Sequence, residues 1–270
     1  MKFRKKIIWY FKRHPMLYLT RFRLLSRNSR PEDLSAYSFN RLNKKEAIPS
    51  FFYDINDVIF FGGKMSTDLD NVKKLAIWLH SHIPGGPGLS EPSDRALKLM
   101  LKGQGGVCSD MAQIFNNFCV INDLQVREWG TTRAPFDLSY GGHAFNEVFC
   151  KELNQWVLVD VYHTLLFFDD NNQSLSTMGL FERLRQGLKV QHEVFGVHGR
   201  FEAGSVERNF LHPHTVPFLI CDYSNRTYDW FLKRFRNVVP VFAIHFIVFL
   251  LGKGYHYRFP MDNYNTVLSS

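Results

Sequence analysis

The chain has 270 residues, 45% apolar and 16% aromatic, which is enough for one large domain or two small ones and excludes global disorder. Its four cysteines, Cys108, Cys119, Cys150 and Cys221, form no CxxC pair and no dense framework, so they read as free thiols in a reducing compartment. The net charge of +8 is local: residues 1–30 hold ten Lys or Arg and no acid, and the remainder holds 23 basic against 25 acidic residues.

The chain opens with "KFRKKIIWYFKR", which places Phe3, Ile7, Ile8 and Phe11 on one helical face among basic residues. Residues 1–30 form a basic amphipathic segment that suits an anionic membrane surface; a solvated helix packed on the domain is the plainer alternative. No nucleic-acid-binding module accompanies the patch, so nucleic acid is not an expected partner. No signal peptide is expected, since Lys12 and Arg13 interrupt "IIWYF". The longest apolar run, Val238 to Leu251, has 14 residues including Pro240, short of the roughly 20 that span a bilayer.

Residues 31–64 are mixed, with one strand-like run, "DVIFF". From Thr67, Leu69, Val72, Leu75, Ala76, Leu79 and Ile83 recur at helical spacing until Pro84-Gly85-Gly86 stops them. "SDRALKLMLKG" reads as a second helix, capped by Ser93 and ended by Gly103. A third runs from about Cys108 to Ile121. "LQVREW", "HAFNEVFC" and "QWVLVDVY" then alternate like strands, with Trp156, Leu158 and Asp160 on one side. The polar "KELN" makes the last two an antiparallel hairpin. Helices followed by such a sheet predict an α+β domain. Beyond Asp170, "LSTMGLFERLRQGL" and "DWFLKRFRNVVPVFAIHFIVFLL" read as helices, the second kinked or divided at Pro240 and packed on the core rather than in a membrane interface.

"GQGGVCSD" places Cys108 after three glycines, where a helix begins. A free thiol is only slightly ionised at neutral pH, and the thiolate is the nucleophile. A helix N-terminus and a nearby imidazolium both favour the thiolate. Gly103, Gly105 and Gly106 allow a tight turn and close approach of a substrate carbonyl, and the Cys108 N–H is free to meet an oxyanion. Cys119 lies eleven residues on, roughly 16 Å along the axis, and reads with Cys150 and Cys221 as a small core hydrophobe. His143 opens a strand after two glycines, and Asp160 sits on the paired strand among apolar neighbours, where an acid is costly unless hydrogen-bonded. His163 is an alternative base, read instead as a flank. Glu147 suits a salt bridge better than substrate orientation, and Asp110 suits the helix dipole while opposing a low thiol pKa. "HSH" (His80, His82) and "HPH" (His212, His214) lack any CxxC or HExxH context, so neither a metal nor a cofactor is expected.

Together "GGVCSDMAQIFNNF", "GGHAFNEVF" and "QWVLVDV" resemble the core of the transglutaminase-like superfamily, over about residues 65–165. The resemblance implies a papain-like α+β core with the nucleophile on a helix packed on an antiparallel sheet. It implies Cys108 as nucleophile, His143 as general base and acid, and Asp160 as the orienting carboxylate. The tryptophan of the animal enzymes' oxyanion site has no clear counterpart. Gln104, Gly106 and Trp129 are the candidates for substrate or oxyanion contacts, and Trp78 packs in its helix. No DxDxDG calcium pattern is present, so a calcium-activated crosslinking enzyme is not supported.

The expected organisation is a basic segment at 1–30, a transglutaminase-like catalytic core at 31–170, and a mostly helical C-terminal extension at 171–270 packed on the core or a membrane surface. The expected activity is hydrolysis or acyl transfer on an amide or ester through a thioester on Cys108. The substrate would be a peptide, a glycoconjugate or a small molecule. The expected location is cytoplasmic, with residues 1–30 able to hold the protein at the inner face of a membrane. The competing expectation is a non-catalytic membrane-surface adaptor of the same fold.

Overall fold

The computed structural model describes residues 15–196, 202 and 204–269. The amphipathic helix expected at 2–13 lies outside the described residues. The basic segment continues as α1 (Pro15–Leu25), which leads into the short strand β1 (Ser26–Asn28).

Four helices lead up to the sheet: α2 (Ser50–Ile59), α3 (Asp68–His82), α4 (Ser93–Leu101) and α5 (Cys108–Ile121). Helix α3 is capped by Thr67, whose hydroxyl accepts the Asp70 N–H at 3.1 Å. The cap of α4 is Pro92, not Ser93; Ser93 turns its N–H and hydroxyl to Asp229 instead. "DVIFF" is not a strand. Its first three residues end α2, where Phe52, Asn56 and Ile59 recur at helical spacing and bury one face, and Phe61 is left 91% exposed.

The antiparallel strands are β2 (Val126–Arg133), β3 (His143–Cys150) and β4 (Gln155–Val159). The expected hairpin pairs Cys150 with Gln155 and Asn146 with Val159. Its turn needs Asn154 in the left-handed region, φ 50°, which asparagine tolerates. A second hairpin joins β5 (Leu165–Phe168) to β6 (Gln191–Val194), with α6 (Thr177–Arg185) between them.

The cut at residue 170 does not follow the sheet. Strand β7 (Thr215–Cys221) pairs with β2, and β8 (His256–Phe259) joins β7 to β1, giving the order β1-β8-β7-β2-β3-β4. Residues 171–270 therefore complete the core sheet rather than extend it. Helices α7 (Asn225–Phe235) and α8 (Val241–Leu250) are divided at Pro240, and α9 (Tyr264–Leu268) ends the described chain. Helix α8 is only half a core helix: Ile244 and Val248 are buried, whereas Phe246, Ile247, Leu250 and Leu251 are exposed. Among the described residues, no helix is long and apolar enough to cross a membrane.

The architecture is α+β. Helices α2 to α5 pack on one sheet face over Val126, Val148 and Val157. The alternate residues Trp129, Phe145 and Leu158 meet α6 and β5 on the other face.

Candidate active site

The turn before α5 is pinned from outside. Gly86 N–H donates to Gly106 O (3.0 Å), and Gly106 N–H donates to Pro87 O (3.1 Å). Gly105 and Gly106 take φ of +144° and +121°, which side chains rarely adopt. The Asp110 carboxylate then accepts the N–H groups of Val107 (3.1 Å) and Leu89 (3.2 Å), fastening both loops to the first turn. Cys108 is thus held at the first residue of α5, partly exposed, at the end where the peptide dipoles favour an anion.

His143 opens β3 after Gly141 and Gly142, both at positive φ. Its Nε2 lies 2.8 Å from Asp160 Oδ2. A buried carboxylate accepts, so Nε2 carries the proton, and Nδ1 is the nitrogen left to hydrogen-bond Cys108. Ala144 N–H also donates to the Cys108 sulfur. Asp160 is fully buried and saturated: Oδ1 accepts Tyr162 N–H (3.0 Å) and His163 N–H (3.2 Å), and Oδ2 accepts both His143 and His163 Nδ1 (2.8 Å). Phe145 and Phe210 wall the His143 ring.

The electrostatics follow from these contacts. Burial pushes the Cys108 thiol up, but the charge and hydrogen bond of His143 outweigh it and the net shift is downward. Burial alone would lower His143, yet Asp160 and Cys108 raise it to about 10. Burial opposes ionisation of Asp160 as well, and the two imidazoles overcome it, holding the carboxyl far below the carboxylate range. Each member of the pair therefore favours the charged form of the other, the thiolate of Cys108 and the imidazolium of His143. Cys119, Cys150 and Cys221 are buried, and burial drives all three thiols up.

Beside Cys108 a cleft of about 410 Å³ is lined by Cys108, Gln113, Glu128, Thr131, His143 and Tyr223. Glu128 was not foreseen. It is buried and accepts from Gln113 Nε2 and from Asn116 Nδ2 (2.9 Å), both on α5. Burial, reinforced by Cys108 and only partly offset by the Asn116 hydrogen bond, raises its carboxyl to about 8, so it is mostly neutral at pH 7.

Its neighbour Trp129 is not at the site. Strand alternation turns it to the opposite face, where it is fully buried and donates Nε1–H to Glu147 Oε2 (3.1 Å). Gln104 is exposed and outside the cleft lining. Gly106 does not line the cleft either, since its N–H and C=O are spent on the Gly86–Pro87 clasp. Glu147 forms its salt bridge, to Arg127 (3.3 Å). His80 Nδ1 lies against Tyr162 O (3.0 Å) and His82 Nδ1 against Trp78 O (2.8 Å), while His212 and His214 pack ring to ring. Among the described residues, the group of three close metal-ligating side chains is His143, Asp160 and His163, whose mutual hydrogen bonds already occupy the carboxylate.

Residues 61–161 match the sequence profile of the transglutaminase-like superfamily. A comparison with curated proteins finds no match. Among solved structures, the chain is similar to a Cytophaga hutchinsonii protein provisionally described as a cysteine protease. The two are 14% identical with a TM-score of 0.32, over 62% of this chain and 46% of that one. The chain therefore spans about half the length of that protein.

Proposed function

From the premise that residues 61–161 form a transglutaminase-like core, we infer that the protein is a cysteine-dependent enzyme that opens amide or ester bonds through a thioester on Cys108. The observation that carries this reading is the unbroken chain from the Cys108 thiol through His143 to Asp160, at the wall of an open cleft.

In the reaction, the Cys108 thiolate adds to the substrate carbonyl carbon and the C=O electron pair moves onto oxygen. The Cys108 N–H, unpaired at the helix start, lies ready to stabilise that charge. Collapse expels the amine or alcohol, which takes the proton from His143 Nδ1, leaving a thioester. A water molecule then attacks the thioester carbon while giving a proton to the neutral His143. Release of the acid restores the thiolate–imidazolium pair. An amine in place of water gives acyl transfer by the same steps. Asp160 keeps the ring oriented and stabilises its charge throughout.

The test is the rate of Cys108 alkylation by iodoacetamide at pH 6. The reading expects rapid labelling, lost in His143→Ala. Labelling no faster than that of an ordinary thiol would instead favour a non-catalytic adaptor of the same fold.

We place the protein in the cytoplasm, held at the inner face of a membrane by residues 1–30. The support is ten basic residues without an acid in that stretch, together with exposed Phe246, Ile247 and Leu250 on α8 and Leu251 just after it. Flotation with anionic and neutral vesicles tests it; equal partition with and without residues 1–30 would remove the idea.

A further inference from the structure

The cleft beside Cys108 shares Arg21, His245 and Tyr255 of its lining with a second chamber of about 280 Å³. That chamber is almost wholly apolar, walled by Leu24 and Leu25 of α1, Phe242, Ala243, Phe246 and Phe249 of α8, and Tyr228. Helix α8 is apolar apart from His245; Ile244 and Val248 are buried in the core, Val241 and Phe249 pack partly against it, and Phe242, Ala243, Phe246 and Phe249 line the chamber.

The three residues that line both spaces have a different character. Arg21 lies 5.5 Å over the Tyr255 ring, with Tyr257 beside it. The Arg21 Nε is buried without a hydrogen-bond partner, and no carboxylate pairs with the guanidinium among the described residues. His245 Nδ1 is likewise buried and unpartnered, and burial together with Arg21 lowers that ring to about 3, leaving it neutral. A cation with an unfilled donor, lining both the cleft at Cys108 and an apolar chamber, fits an anion whose tail is apolar.

We propose that this chamber is a substrate subsite for the hydrocarbon chain of an anionic amphiphile, with its carboxylate or phosphate at Arg21 and its scissile carbonyl in the cleft at Cys108. The substrate class is then a lipid-like or lipid-modified amide or ester rather than a plain peptide. The placement of the carbonyl rests on the catalytic reading above; binding of the chain does not. The 410 Å³ and 280 Å³ spaces are each of the size that small ligands occupy.

Calorimetry on the full chain carrying Cys108→Ala, with probes below their micelle concentrations, tests the proposal. From hexanoate through octanoate to decanoate, Kd should fall by up to about tenfold per two carbons, as methylene burial implies. Decanoate should bind at least fivefold tighter than decanol, and Arg21→Gln should abolish that difference. Decyl phosphate against decanoate identifies which anion Arg21 prefers, and tighter binding by either supports the site. Ala243→Phe, which fills the chamber, should cost tenfold or more; if it fails to fold, Phe246→Ser at an already half-exposed position replaces it. Affinity independent of chain length, or unaffected by these chamber variants, overturns the subsite. Equal binding of decanol and decanoate overturns the role of Arg21. Dimers in sedimentation that Ala243→Phe disrupts and decanoate does not would assign the face to a second copy and sink the proposal. The alkylation test on wild-type protein fails independently: a slow Cys108 removes the catalytic reading, whereas a reactive Cys108 without chain-length dependence removes only the subsite.

Discussion

His143 and His163 share one oxygen: Nε2 of the first and Nδ1 of the second each lie 2.8 Å from Asp160 Oδ2. The imidazole beside Cys108 is therefore braced by a carboxylate that is itself braced. His143, not His163, hydrogen-bonds the Cys108 thiol, so on the proposed reading His143 is the base and His163 a positioning residue. His163→Ala removes one donor from a buried carboxylate, a loss worth about 1–3 kcal/mol of stability. It should slow Cys108 alkylation at pH 6 by threefold to tenfold, while His143→Ala abolishes the fast reaction. His163→Asn, whose amide can reproduce the donated hydrogen, should recover most of the rate. An Ala variant as fast as wild type would reduce His163 to packing.

The pH profile should carry both sides of the ion pair. Because His143 depresses the Cys108 thiol, the acid limb of alkylation should lie below the ordinary thiol range near ~8.5. His143→Ala should raise that limb, since burial is then opposed only by the Ala144 N–H hydrogen bond and the helix dipole. For turnover, the alkaline limb should lie near the raised His143 value of about 10. An acid limb unchanged between wild type and His143→Ala would remove the pair.

Stability should fall with pH in two windows, for two different groups. His143 gains its partners only when folded, so its contribution is complete below its unfolded value of 6.5 and is lost as pH rises through about 10. Cys108, depressed on folding, works in the opposite sense below the unfolded value of 9. Glu128 is an acid raised on folding, from 4.5 to about 8. The unfolded chain loses that proton first, so stability drops between those values and then levels. Glu128→Gln keeps the size and cannot ionise. It should flatten the lower window, leave the upper one, and make the protein more stable at pH 9 than wild type by a few kcal/mol, order of magnitude. Denaturant titrations at pH 4, 6, 9 and 10 measure this. Identical pH slopes in the two proteins would mean that Glu128 is not buried as an acid.

The site was more legible than the fold around it. Cys108 announces itself because glycines precede it and a helical period follows, and the span expected for that helix is the span of α5. His143 and Asp160 are visible because each interrupts a strand pattern at its end. Trp129 has the chemistry of an oxyanion donor, but strand alternation turns it to the opposite face. In "QVREWG", Val126, Glu128 and Gly130 share the helix-facing side, so the residue to suspect was Glu128. The sheet's other half was hidden by Pro217, which argues against an interior strand although β7 pairs with both β2 and β8. The clasp of Gly86 on Gly106 and the unpaired Arg21 depend on chain segments brought together by folding, and no local pattern encodes them.

The glycine turn offers the sharpest steric test. A Cβ on Gly105 would lie 2.6 Å from Pro87 O and 2.6 Å from Leu89 Cδ2, and φ there is +144°. The carbonyl cannot yield without loosening the 84–88 loop that also holds the first turn of α5. Gly105→Ala should therefore cost roughly 2–4 kcal/mol by combining backbone strain with the clash, and should slow Cys108 alkylation in whatever fraction remains folded. Gly62→Ala is the control. Its φ of +88° is strained as well, but a Cβ there meets nothing within 4 Å, so only the backbone cost of about 1–2 kcal/mol applies and the thiol keeps its rate. Equal destabilisation of the two variants, with equal alkylation rates, would show that the 84–88 loop is not what holds the nucleophile.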